Sequence, residues 1–322
     1  MHSNSVFIIG EIGCNHDGDL AQARALIDVA AEARCDAVKF QLFRADVLYP
    51  TSDPAHAVLK SNELPRGWVP LLSEYALGKG VQFLASPFDV EAVGVLEAVG
   101  VGFYKVASSE LRNTRLLLSI ARTCKPVFMS TGMCTLAEIS EAIDLLDANG
   151  CPEIVLLHCY SVYPTPIEDV NLRVMDTLHH TFGREVGLSD HSLGITVPIA
   201  AAARGARAVE KHFTLSRSLS GPDHGYALEP TELAEMVQRI RDVERALGTP
   251  VKKLHPLEVE YCRLDGIYTS RDLAAGERIS ADDVVVRRPF RGVAARYASG
   301  IIGLELRESL SAGTAIDWRH LR

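Results

Sequence analysis

The chain has no excess of basic residues: 33 Lys and Arg stand against 41 Asp and Glu, a net charge of −8. A general nucleic-acid binder carries a basic face, so that class of partner is set aside. An anionic small substrate would need a local cluster of cations. No stretch of ~18 uncharged apolar residues occurs, which argues against a membrane span. The opening MHSNSVFIIGEIG has no basic segment and reaches a glutamate after a short apolar run, unlike a secretory signal, so the expected location is the cytoplasm. The seven cysteines, Cys14, Cys35, Cys124, Cys134, Cys151, Cys159 and Cys262, are odd in number and form no C-x-x-C pair. Neither a disulfide framework nor a thiolate zinc site is expected from them. No G-x-G-x-x-G follows the first apolar run, and no H-E-x-x-H helix occurs.

What is present is the balance of a globular protein, 47% hydrophobic and 23% charged. Short apolar runs alternate with segments of helical period. Strands are expected at 6–10, 36–41, 81–86, 103–108, 126–131, 153–159, 184–190 and 206–213. Helices are expected at 19–34, 68–79, 89–98, 114–122, 135–149, 172–180, 196–204 and 230–247, with a proline-bearing loop after the second strand. Eight strand-helix units in ~250 residues match a (β/α)8 TIM barrel, and strands apolar along their whole length suit a sheet covered on both faces. A doubly wound open sheet is the structural rival. The chain therefore reads as an α/β barrel domain at 1–248 and a proline-bearing linker at 249–262. A small β-rich module follows at 263–322.

In such a barrel, chemistry sits at the carboxyl ends of the strands. Polar residues stand at all eight ends: Glu11; Lys39 and Gln41; Ser86; Lys105, Ser108 and Glu110; Ser130 and Thr131; His158, Ser161 and Tyr163; Ser189, Asp190 and His191; Glu210, Lys211 and His212. A single one reads as a cap or loop residue. The full set reads as a site. An unpaired buried ammonium is costly, so Lys39 and Lys105 should face an anion, phosphate or carboxylate. His191 and His212, on adjacent strands, suggest a metal with positions left open for water and substrate.

At these residues the sequence resembles the sialic acid synthase (N-acetylneuraminate synthase) family. The likeness rests on GEIGCNHDGD, AVKFQ, FLASPFD, YKVASSE, FMSTGM, LLHCYSVYPTP, GLSDHSLG, VEKHFT and GPDHGYALEP in that order. The tail, RDLAAGERISADDVVVRRP to IIGLELRESLSAGTAI, is similar to the antifreeze-like SAF domain that follows the barrel in that family. The resemblance implies an enzyme that condenses phosphoenolpyruvate with an N-acylated amino sugar. The sugar would be N-acetylmannosamine or a related 2,4-diacetamido-trideoxyhexose, and the products a nine-carbon 2-keto acid and phosphate. It implies a divalent metal, Mn2+ first and Mg2+ or Co2+ as alternatives, and a domain-swapped homodimer.

Carried over residue by residue, Lys39, Ser86, Lys105, Ser108, Ser130 and Ser189 match phosphoenolpyruvate-binding positions, and His191 and His212 match metal ligands. Glu11, Gln41, Glu110, Tyr163 and Asp223 match positions around the sugar and the reacting carbons, with Glu110 assigned to proton transfer and Glu11 to ordering water and sugar. Arg288 matches an arginine that the tail contributes across the dimer. Ser86 stands where a threonine is common, and Ser161, also placed at the sugar, where some members have asparagine. A family asparagine in the loop after the second strand has Asn62 as its only suggested counterpart, and Cys262 falls where some members carry an aromatic. Two other readings compete: another phosphoenolpyruvate-dependent 3-deoxy-2-ketoacid synthase, and a non-catalytic carbohydrate-binding or assembly protein.

Overall fold

The structure, a computed structural model, describes residues 5–259 and 264–322. It divides into two compact units, Met1–Gly248 and Thr249–Arg322. Cys262 and part of the expected linker lie outside the described residues.

The first unit is a parallel barrel. Its strands are β1 (Phe7–Gly13), β2 (Ala37–Leu42), β3 (Gln82–Pro87), β4 (Tyr104–Val106), β5 (Val127–Ser130), β6 (Ile154–Cys159), β7 (Val186–Asp190) and β8 (Ala208–His212). The hydrogen-bonded order is β3-β2-β1-β8-β7-β6-β5-β4, so β1 and β8 pair and close the sequence ends, while β3 and β4 lie side by side at the seam. Each strand alternates, and the inward residues change character along it. At the amino-terminal end Phe7, Phe103 and Phe128 meet, with ring centroids 5.1–5.6 Å apart, beside Ile9, Leu84, Leu157 and Ala208. This apolar plug fills the lower barrel. One pleat repeat further along, the same inward faces carry Glu11, Lys39, Ser86, Lys105, Ser130, Ser189 and Glu210. The outward faces pack against the surrounding helices in a separate apolar layer that includes Ile8, Val38, Phe40, Leu156 and Val209.

The helices start and stop where local chemistry directs. Thr135 and Glu138 form a reciprocal capping box at the helix Leu136–Ala148, and Gly183 ends Val174–Phe182 in the left-handed conformation. Two differences from the sequence reading are informative. The loop expected after β2 contains helices Ala45–Leu48 and Pro54–Ser61. Asp53 caps the second by accepting from Ala55, and Pro54 occupies the first turn, where its missing N–H costs nothing. Where the sequence reading places a proline-bearing loop, Pro54 starts a helix. Strand β4 is also only three residues long, because Ser108–Glu110 turns into a short 3-10 segment.

The second unit buries Ile267, Leu273, Ile279, Val293, Ile301, Leu306 and Ile316 in its own small core. Antiparallel β9 (Gly266–Thr269) and β10 (Val284–Arg287) form its sheet. Elsewhere in this module, expected to be β-rich, the chain pairs through isolated bridges such as Arg278 with Glu305.

Candidate active site

Above the apolar plug the barrel opens into a cavity of about 410 Å³. Every strand contributes to its lining: Glu11 from β1, Lys39 and Gln41 from β2, Ser86 from β3, Lys105 from β4, Ser130 from β5, Cys159 from β6, Ser189 from β7, and Glu210 and His212 from β8. Ser108, Ser161, Tyr163 and His191 join from the loops that follow their strands. A smaller recess of about 230 Å³ shares Gln41, Tyr163 and His212 with this cavity and adds Asn62, Asp223 and Tyr226.

Two cations and two carboxylates form the floor. Lys39 Nζ lies 2.8 Å from Glu11 Oε2 and 3.7 Å from Glu210 Oε1, and it donates to Ser86 Oγ at 3.1 Å. Lys105 Nζ lies 3.5 Å from the same Glu210 oxygen, which also accepts from Ser189 Oγ at 3.1 Å. Gln41 Nε2 donates to Glu11 Oε1 at 3.0 Å. Burial works against the Lys39 ammonium, but Glu11 and Glu210 outweigh it and hold its pKa above the ordinary lysine value. For Lys105 burial wins, only partly offset by Glu210, and the pKa falls. Burial would raise Glu210, yet Lys105 and Lys39 overcome it and keep the group ionised. Burial pushes the Glu11 carboxyl up to about 7 against the pull of Lys39. Glu11 is thus a group able to hold or release a proton near neutrality. Ser130 Oγ and Glu210 Oε2 are buried with no hydrogen-bond partner among the described residues. Such atoms are costly unless something else meets them.

His191 and His212 face each other with ring centroids 5.5 Å apart. Burial, reinforced by the neighbouring His212, pushes His191 down to about 3, and burial pushes His212 down to about 4, so both rings are neutral. His191 Nδ1 lies 3.2 Å from the Tyr160 carbonyl oxygen, which can only accept. Its proton is therefore on Nδ1 and the lone pair on Nε2. His212 Nδ1 is buried with no hydrogen-bond partner among the described residues, the Asp223 carboxylate lying 3.9 Å away. Two neutral imidazoles, one with an orphaned nitrogen, fit a divalent cation. No group of three His, Cys, Asp or Glu is assembled for a metal among the described residues. The pair would hold such an ion with most positions left to water or substrate.

Glycine shapes two approaches. Gly13 has φ +55°, and a Cβ there would sit 2.6 Å from Asp223 Oδ2 and 2.9 Å from the His212 ring. At Gly132 a Cβ would collide with the Ser161 hydroxyl, while the Gly132 N–H donates to Ser108 Oγ at 2.9 Å.

Of the residues expected from sequence, Glu11, Lys39, Gln41, Ser86, Lys105, Ser108, Ser130, Ser161, Tyr163, Ser189, His191 and His212 share one cavity. Asp223 lies in the adjoining recess with Asn62, its carboxylate accepting from Cys14 N at 3.0 Å and Tyr226 OH at 2.8 Å. Glu110 differs from expectation. It is buried but does not line the cavity, because the turn after β4 directs its carboxylate to Asn113 Nδ2 at 2.8 Å and Ser109 Oγ at 3.2 Å. The inner carboxylate is Glu210, to which the sequence reading gave no role. The signal was its position two residues before His212 on one strand, which puts both on the same face. Arg288 belongs to the second unit, where it is exposed and pairs with Asp265 at 2.7 Å.

Comparison with known proteins follows the same division. The sequence model of the NeuB family matches residues 26–252, and that of the SAF domain matches residues 265–322. The N,N'-diacetyllegionaminic acid synthase of Legionella pneumophila is 41% identical over 99% of this chain and 95% of its own. The human N-acetylneuraminate-9-phosphate synthase is 37% identical over 79% of this chain and 74% of its own. Among solved structures, the N-acetylneuraminic acid (sialic acid) synthetase of Leptospira borgpetersenii is similar with a TM-score of 0.76. It shares 36% identity and covers 80% of this chain and 91% of its own.

Proposed function

Since the chain belongs to the NeuB family and carries a SAF domain, we propose that it condenses phosphoenolpyruvate with an N-acylated amino sugar, giving a sialic-acid-type nine-carbon 2-keto acid and phosphate. The acceptor is N-acetylmannosamine or a 2,4-diacetamido-trideoxyhexose. The observation that carries this reading is the pairing of Lys39 and Lys105, both withdrawn from solvent, in one cavity with the hydroxyls of Ser86, Ser108, Ser130 and Ser189 and the two neutral histidines.

The enol phosphate brings a phosphate and a carboxylate. Lys39 and Lys105 attract these anions, and Ser86, Ser108, Ser130 and Ser189 supply hydroxyl donors around them. This is positioning and electrostatic work, done where water is largely excluded. Carbon 3 of the enol phosphate attacks the aldehyde of the open-chain sugar. Oxocarbenium character develops at carbon 2, water adds there, and the tetrahedral intermediate expels phosphate by C–O cleavage. Glu210 keeps both ammonium groups charged, and its negative charge lies near the developing cation. Glu11, poised near neutrality, moves the proton of the attacking water, in the role that the sequence reading gave to Glu110. A divalent cation, manganese first, held by His191 and His212, supplies Lewis-acid polarisation of the aldehyde oxygen when bound. The recess with Asn62, Asp223 and Tyr226 receives the body of the sugar. The Asp223 carboxylate lies there, which favours an uncharged acceptor over a phosphorylated one.

The active assembly is a domain-swapped homodimer in which Arg288 of one subunit completes the sugar site of the other. The test of the reaction is phosphate release from phosphoenolpyruvate in the presence of N-acetylmannosamine, a diacetamido-trideoxyhexose or a phosphorylated pentose. Release with an N-acylated sugar and not with the phosphorylated pentose is expected. Release with the pentose alone would assign the other synthase chemistry, and release with none would leave a binding protein.

A further inference from the structure

Behind the histidine pair, on the outer side of the barrel wall, lies a buried ion pair that the reaction does not touch. Asp190 and Lys211 are direct register partners on β7 and β8. Alternation sends Ser189, His191, Glu210 and His212 inward, so Asp190 and Lys211 point the other way, into the helical layer. The helix Thr196–Ala203 packs over these two strands and buries Val197, Ala201 and Ala202. An ion pair in such a layer is seldom more stable than a matched apolar pair, so stability alone does not account for it.

Its contacts converge on one turn. Lys211 Nζ donates to Asp190 Oδ2 at 2.6 Å and to the Ser192 carbonyl oxygen. Asp190 accepts from Ser192 N and from Ser192 Oγ, each at 3.0 Å. Every arm grips the residue before or after His191. From the opposite side the His191 carbonyl accepts from Thr165 N at 3.0 Å, and its ring Nδ1 donates to the Tyr160 carbonyl at 3.2 Å. The Lys211 side chain is 1% exposed, so water cannot replace these bonds.

We infer that Lys211 and Asp190 form a clamp that positions His191. The pair fixes the backbone of 190–192 so that the His191 ring stays opposed to His212 at the spacing a shared divalent cation needs. Lys211 and Asp190 are positioning residues, and the inference rests on the reading of the histidine pair given above. Partners that orient a ligating histidine typically change metal affinity by ~10–100-fold when removed.

The experiment uses Co2+ as the probe, added to the metal-free full-length protein without substrate. Its visible absorption reports coordination geometry, and titration gives the dissociation constant. Lys211→Met with Asp190→Asn removes both charges together, so no lone buried ion is left to unfold the barrel. Expected is a cooperatively melting protein that binds Co2+ at least ~10-fold more weakly, with an altered spectrum and little change in the KM for phosphoenolpyruvate. Ser192→Ala removes only the hydroxyl arm and should shift affinity less, in the same direction. Native affinity and an unchanged spectrum in the folded double variant overturn the proposal. Should the double variant not fold, the same result in Ser192→Ala overturns it. Failure of the native protein itself to bind Co2+, by contrast, removes the metal reading of the two histidines and the clamp's purpose with it.

Discussion

Glu210 Oε1 lies 3.5 Å from the ammonium of Lys105, and each side chain is only 5% exposed. The same oxygen reaches Lys39 at 3.7 Å. Glu210 thus bridges the two buried cations, with Glu11 2.8 Å from Lys39 as the second counter-charge, until an anionic substrate arrives. The arrangement makes the cavity attractive to a multiply charged anion without leaving naked charge in its absence.

Glu210→Gln is therefore expected to lower stability in the ligand-free protein. Removing one member of a buried ion pair costs ~3–5 kcal/mol. Phosphoenolpyruvate should restore part of the loss, because it supplies negative charge to the same lysines. Thermal melting with and without phosphoenolpyruvate checks this. An equal ligand-induced rise in Tm for the native and variant proteins would show that Glu210 is not the stand-in for substrate charge.

Lys105→Met should keep the fold and lose phosphate release. Deleting one preorganised electrostatic contact typically costs ~10²–10³ in rate. Steady-state phosphate release and phosphoenolpyruvate affinity are the measurements. Unchanged values for both would reduce Lys105 to a structural counter-ion of Glu210.

Metal removal should abolish turnover. Exhaustive chelation is expected to stop phosphate release, with recovery on adding Mn2+, Co2+ or Mg2+, while His191→Ala combined with His212→Ala stays inactive in any metal. Full activity in chelated protein would dismiss the metal.

Stability should fall in mild acid, with His158 contributing alongside the likewise depressed His16, His191 and His212. Burial depresses the His158 pKa, and its Nε2 donates to the Val170 carbonyl at 2.6 Å. In the unfolded chain the ring titrates near ~6.5. Because the folded value is the lower one, the contribution is complete above the unfolded value and is lost as pH falls from there toward the folded value. Tm should decline between pH 7.5 and 5, and His158→Gln, which keeps an N–H donor, should flatten the decline. An identical slope in the variant would place the acid sensitivity elsewhere.

Arg288 tests assembly of the site in trans. Arg288→Ala and Lys105→Ala subunits, each nearly inactive alone, are mixed under conditions that exchange subunits. In a heterodimer one site then carries both defects and the other neither, so activity returns to about half per heterodimer by two-fold symmetry. No recovery after demonstrated exchange would assign Arg288 to its own barrel or to no site.

The sequence by itself determined the barrel and most of its working face. Eight runs apolar along their whole length mark the strands, and the polar residues stand at their carboxyl ends, where a barrel carries its site. Lys39 with Gln41, Ser189 with His191, and the lysines set in apolar strands were legible for that reason. Tertiary structure decided what the pattern leaves open. Glu110 and Glu210 are both acidic residues at strand ends, yet a 3-10 turn takes Glu110 away from the cavity while strand alternation holds Glu210 inside it. The partners of Lys211 were equally hidden, since Asp190 and Lys211 become neighbours only through the pairing of β7 with β8. Local sequence sets a side chain's direction along its own element. Which charge it meets is set by strands brought together from distant parts of the chain, and burial then raises the pKa of Glu11 and lowers those of Lys105 and the two histidines.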